Sequence, residues 1–222
     1  MIKFTTFLSI FIFTSAYADV KYTVLSQDHP PYIDFSSPST SMVHRLLNQV
    51  NSKLNDVELL VVETPYKRAI LMAQVQGGNF VITTNFNNSF QASDMIKLID
   101  AQLGFYKSKK THDIRNIGIV RGEQGNLSRT IAKKHPNADI VEIKDYVSLF
   151  NMVEMQRIDA LYCAELIYHR LIEKGVITPK NIVMKEEFSI PFEIVLATGK
   201  ENIDQQNLLK IKQTVKLLSK NK

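Results

Sequence analysis

The chain has 222 residues, 45% hydrophobic and 22% charged, with a formal net charge of +5 at pH 7. That is the composition of an ordinary globular protein, and the basic residues, clustered only at 107–110 and 216–222, do not form the one-sided patch of a nucleic-acid binder. Cys163 is the only cysteine, which excludes an intrachain disulfide, and five scattered histidines without HxxxH or CxxC spacing suggest neither a metal site nor a cofactor.

In chain order, the first segment reads as an export signal. Lys3 precedes the apolar stretch FLSIFIF, and Ala16-Tyr17-Ala18 closes it. A stretch of seven residues is too short to span a bilayer, which needs about 20. Cleavage after residue 18 is expected to leave 204 residues in the periplasm, enough for one large domain or two small ones.

Beyond the signal, strands alternate with helices. A strand over 21–25 ends at the two prolines of QDHPPYIDF, which forbid both a helix and central-strand pairing. Serines and threonines at 36–41 offer N-caps to a helix reaching about residue 53, with Met42, Leu46, Leu47 and Val50 on one face. The apolar run 57–62 predicts a strand covered on both faces. Thr64 as N-cap, with Pro65 at the first helical position, predicts a helix over 66–76 that stops at Gly77-Gly78. A strand over 80–84 follows, and the uncharged run Thr83, Thr84, Asn85 and onward hangs from its end.

The second half repeats this rhythm. Strands over 101–106 and 117–120 flank the charged connector KSKKTHD, and glycines 122 and 125 lead into a helix over 127–134. A short strand near Ile140, a helix over 146–156, a strand over 159–163, a helix over 164–174, a strand over 192–198 and a helix over 204–220 complete the chain. The pattern predicts an α/β protein with mainly parallel sheets. Cys163, inside the apolar run ALYCA, reads as a buried thiol, and Asp159 as a residue bracing its strand. The connectors 106–112 and 191–199 are candidate hinges between a first lobe (19–107 plus 196–222) and a second (108–195). Ligands of open α/β sheets bind outside the carboxyl ends of the strands. The loops after residues 25, 62, 83 and 120 therefore face a common cleft.

PPYIDF, PYKRAILMAQVQGGNFVITTN, IGIVRGEQGN and MQRIDALYCAE, in that order, resemble the extracellular solute-binding proteins of family 3. These are the polar amino-acid type of periplasmic binding protein, with a two-lobed type II fold. The resemblance implies a monomer that closes its cleft on a small polar solute and delivers it to an inner-membrane ABC permease. It implies no catalysis, although cyclohexadienyl dehydratases share the scaffold and would need a cleft acid such as Glu165 or Asp28. An orphan sensory or partner-binding module is the other use of the fold. By resemblance, Tyr32 stacks on the ligand, Tyr66 lines the cleft, and Arg121, Gly122, Gln124 and Asn126 belong to a turn whose N–H groups hold anions.

Two departures from the family stand out. Its carboxylate-gripping arginine is missing, because Asn85, Phe86, Asn87, Asn88 and Ser89 occupy that stretch. Its ammonium-holding acid aligns with Ala164, and Glu165 comes one residue later. The expected ligand residues are thus Tyr32, Tyr66, Thr83, Thr84, Asn85, Arg121, Gly122, Gln124, Asn126 and Glu165, for a solute carrying less charge than an amino acid, or for an anion.

Overall fold

The computed structural model describes residues 20–121, 126–199 and 203–219. The export signal lies outside them. Nine strands form one hydrogen-bonded path in the order β2-β1-β3-β9-β4-β7-β5-β6, with β8 beside β4. They are β1 (Val20–Ser26), β2 (Val57–Glu63), β3 (Asn79–Thr84), β4 (Met95–Ser108), β5 (Asn116–Val120), β6 (Asp139–Ile143), β7 (Ala160–Ala164), β8 (Ile182–Met184) and β9 (Ile190–Ala197). The helices are α1 (Met42–Asn51), α2 (Tyr66–Val75), α3 (Asn126–Lys134), α4 (Tyr146–Glu154), α5 (Glu165–Glu173) and α6 (Gln205–Ser219).

Parallel pairing builds each half: β1 with β2 and β3, then β5 with β6 and β7. Among the described residues every antiparallel pairing between strands involves β4 or β9. These two strands belong to both halves. The first part of β4 pairs with β9, whose end pairs in turn with β3, whereas residues 103–107 of β4 pair with β7 and residues 106–108 with β8. The connector expected at 106–112 therefore begins inside a strand. The early half of β4 carries its own signal, since Ile96 and Leu98 are buried while Lys97 and Asp100 are exposed. That alternation belongs to a strand with one wet face, and it gives way to continuous burial from Leu103 to Tyr106.

Several local expectations are corrected. β2 is an edge strand, and α2 packs over β1 and β3 instead, so Leu60 and Val62 remain exposed. Thr64 does not cap α2. Its backbone N–H donates to Ser26 O at 2.7 Å, and Pro65 stands at the cap position without a side-chain hydrogen bond. Ser41 does cap α1, accepting from His44 N–H. Asp159 braces its strand as expected, its Oδ2 accepting from the N–H groups of Arg115 at 2.9 Å and Asn116 at 2.8 Å.

A continuous apolar core extends from Val24 and Phe80 through Phe105 to Ile119 and Leu161. A smaller cluster of Leu25, Ala69, Ala73, Val81, Phe90 and Ala197 lies beneath α2. The terminal helix α6 packs on α1 and β4, with Asn207 Nδ2 donating to Tyr22 Oη at 3.0 Å. Cys163 is fully buried in β7. No helix among the described residues is long and apolar enough to cross a membrane.

Candidate functional site

The carboxyl ends of β1, β3, β5, β6 and β7 surround a cavity of about 540 Å³ whose floor takes Leu103 from β4 and Phe192 and Ile194 from β9. The loop after β1 contributes Gln27, His29, Tyr32 and Ile33. That loop is held by its own backbone, His29 and Ile33 exchanging hydrogen bonds at 2.8 and 3.0 Å. Tyr32 O accepts from Ser41 Oγ at 3.0 Å and from Val43 N–H at 2.9 Å, which fixes its backbone to the start of α1. The Tyr32 side chain is only 4% exposed, and burial is the main cause of its raised pKa, with Cys163 and Glu165 adding to it. Tyr32 lines the cavity together with Ala164 and Ile167 of the β7–α5 junction. Burial also lowers the pKa of His29, which outweighs the opposing pull of Asp28 and keeps the ring neutral at pH 7.

The lip after β3 is a closed polar network. Tyr66 Oη and Thr83 Oγ1 lie 2.7 Å apart, and Asn87 Nδ2 donates to both, at 2.9 and 3.1 Å. Asn87 Oδ1 accepts from Ser89 N–H at 2.7 Å. Between Thr84 and Asn87 the chain turns, and Asn85 faces away from the cavity. Its N–H donates to Glu193 O and its Oδ1 accepts from Glu193 N–H, both at 3.0 Å, so it lengthens the β3–β9 ladder by one residue.

On the opposite side, Arg121 N–H donates to Ile143 O at 2.7 Å, which sets Arg121 beside Lys144 at the ends of the parallel strands β5 and β6. Both side chains line the cavity, as does Lys67 from α2, and all three residues are exposed. The Lys144 ammonium is also 3.6 Å from Asp145 Oδ2. Tyr146, Leu127, Ala164 and Ile167 complete this wall. The two sides touch where Asn126 N–H donates to Phe86 O at 3.1 Å, and the Phe86 ring stacks on Phe192 with centroids 6.4 Å apart.

The structure thus brings Tyr32, Tyr66, Thr83, Thr84 and Arg121 to one cavity. Asn85, Asn126 and Glu165 lie outside its lining: Asn85 braces β9, Asn126 spends its N–H on Phe86, and Glu165 opens α5 one residue beyond the lining Ala164. Gly122 and Gln124 lie outside the described residues. Asp28 is also off the lining, its Oδ1 accepting from Phe35 N–H. Sequence reading missed Asn87, Asn88 and Ser89, which belong to the same uncharged run, and it missed Lys144, whose only signal was its place after a predicted strand. Among the described residues no acidic side chain lines the cavity, and none group as a metal site.

No family model matches the chain, and no curated protein does. Solved structures do. A histidine kinase sensor domain with similarity to periplasmic binding proteins superposes with a TM-score of 0.71 at 10% identity, covering 91% of this chain and 92% of that one. A mutant of the arginine-binding protein from T. maritima gives 0.64 at 15% identity over 91% and 90%. The substrate-binding protein of an amino acid ABC transporter gives 0.64 at 16% identity over 90% and 94%. The fold is that of the two-lobed periplasmic binding proteins. The cavity lies between the two parallel-paired halves of the sheet that β4 and β9 join.

Proposed function

We propose that this chain is an extracytoplasmic solute-binding protein that captures a small polar solute between its lobes and hands it to an ABC-type permease. The observation that carries this reading is the cavity itself. It is built from strand ends of both halves around a floor of crossing strands, and its size falls within the range for small-molecule sites, about 300–1,000 Å³. A solute touching both walls favours the closed form by its differential affinity for the two states, and that form is what a membrane partner reads. The lobes hinge where Asp100, Ala101 and Gln102 of β4 pair with Glu193, Phe192 and Pro191 of β9, earlier in the chain than the boundary at residue 107. The ligand contacts come from Tyr32, Tyr66, Thr83, Thr84 and Arg121, with Asn87 organising the lip.

The test is thermal-shift screening of the purified protein against amino acids, organic acids, amines and small peptides. A solute at 100 times its Kd adds about 2.7 kcal/mol, which for a chain of this size raises Tm by roughly 5–11 °C. A panel without a single shift would refute the reading. The likeness to a sensor domain supports a second use of the same cleft, signalling in place of import. Crosslinking of the liganded protein in membranes separates the two, because a permease partner supports import and a kinase partner supports sensing.

A further inference from the structure

We infer that the cleft selects an organic anion with an apolar body and no ammonium group, of the class of aliphatic and aromatic monocarboxylates. This rests on the reading of the cleft as a solute site and sharpens what that site takes.

Much of the lining is hydrocarbon. Ile82, Leu103, Leu127, Ile167, Phe192 and Ile194 face the cavity from both lobes and both crossing strands. A solute filling about 540 Å³ between such walls is held largely by apolar area removed from water. The lip after β3 adds little grip of its own. Both Asn87 Nδ2 hydrogens are spent on Tyr66 and Thr83, and its Oδ1 is taken by Ser89 N–H.

Among the described lining residues the charge is of one sign. Lys67 approaches from lobe 1, with Arg121 and Lys144 side by side on lobe 2, and among the described residues Lys144 alone of the three has a carboxylate within 4 Å, that of Asp145. Asp145 is itself engaged at the start of α4, accepting from Ser148 N–H at 2.7 Å and from the Ser148 hydroxyl at 3.0 Å. Among the described lining residues there is no acid to receive an ammonium, and at the β7–α5 turn the lining residue is Ala164. Against the described lining, the ammonium of an amino acid would meet three cations and no carboxylate, and both desolvation and repulsion oppose it. Removing that ammonium removes the penalty and keeps the anion. An inorganic anion satisfies the charges and leaves the hydrocarbon part of the lining uncovered.

The test is isothermal titration calorimetry on the full purified chain with hexanoate, octanoate and phenylacetate. The comparison ligands are hexanamide and phenylacetamide, then norleucine and phenylalanine, then inorganic phosphate. The carboxylates are expected to bind at least about tenfold more tightly than their amides and their amino-acid counterparts, the worth of a charge-assisted contact. Arg121→Gln should weaken phenylacetate binding with the apo Tm unchanged. Should that variant fail to fold, Lys67→Gln, at an exposed position on α2, carries the same expectation. Amino acids binding as tightly as the desamino acids would overturn the class while leaving the solute site standing. Binding of phosphate alone would overturn the apolar body. Silence from these compounds and from the wider panel of amines and peptides would sink the solute-binding reading itself.

Discussion

Asn87→Ala removes three hydrogen bonds at once: two donated by Nδ2, to Tyr66 Oη at 2.9 Å and Thr83 Oγ1 at 3.1 Å, and one accepted by Oδ1 from Ser89 N–H at 2.7 Å. A typical intramolecular hydrogen bond contributes about 0.5–1.5 kcal/mol net. Water reaches the Ser89 end, which is exposed, and replaces much of that bond. Thr83 is only 5% exposed, so the donor it loses is not replaced. The expected cost is about 1–3 kcal/mol. For a domain of this size each kcal/mol moves Tm by about 2–4 °C, so the variant should melt roughly 2–12 °C lower. Asn88, the exposed neighbour, supplies the control, and Asn88→Ala should stay within about 0.5 kcal/mol of the parent. Differential scanning calorimetry of the three proteins without ligand makes the measurement. Equal melting of Asn87→Ala and Asn88→Ala would refute the network as a structural element of the lip.

Tyr106→Phe should stabilise the protein by about 1–3 kcal/mol, because the Tyr106 hydroxyl is fully buried against Gly104 and finds no hydrogen-bond partner among the described residues; a lower urea midpoint would contradict this. Gly118→Ala should cost about 1–3 kcal/mol, since the added methyl meets Leu149 Cδ2 and, at 2.7 Å, Ile158 Cδ1, both in the closed core of lobe 2; unchanged unfolding would show that these side chains give way. Burial lowers the pKa of His29, His44 and His135 below the ordinary 6.5, so the unfolded chain takes up protons first as pH falls. Their contribution is complete above about pH 6.5 and is lost on acidification through that value, so urea midpoints at pH 5.5 should lie below those at pH 7.5, and a flat profile would refute it. Tyr32→Ala should abolish detectable solute binding and also lower the apo Tm, because the residue is buried where it lines the cavity with Ala164 and Ile167; an unchanged apo Tm would show that the ring serves the ligand alone.

The order of elements was legible in the sequence because each signal is local. Periodicity marked α1, prolines closed β1, glycines closed α2, and Ser41 capped its helix where a serine was available. The early half of β4 was missed, because the strand was expected only over 101–106, although the alternation of Ile96 and Leu98 with Lys97 and Asp100 is a strand signal. The site was legible only in part. Tyr32, Tyr66, Thr83 and Thr84 follow from the rule that loops at strand ends face the cleft. Asn85 and Asn87 cannot be told apart on that rule, as both are amides in one uncharged run.

What separates them is the turn after Thr84 and the neighbour each amide finds. Asn85 meets the backbone of Glu193, 108 residues away in sequence, and Asn87 meets Tyr66 and Thr83. Likewise the sequence by itself was enough to see that the arginine and the acid of the family it resembles do not stand at the matching positions, since an absence needs no coordinates. Only the tertiary structure decided what gathers there instead, a largely apolar lining with Lys67, Arg121 and Lys144 among it. Those side chains come from segments far apart in the chain, and only the pairing of β4 with β9 and of β5 with β6 makes them neighbours.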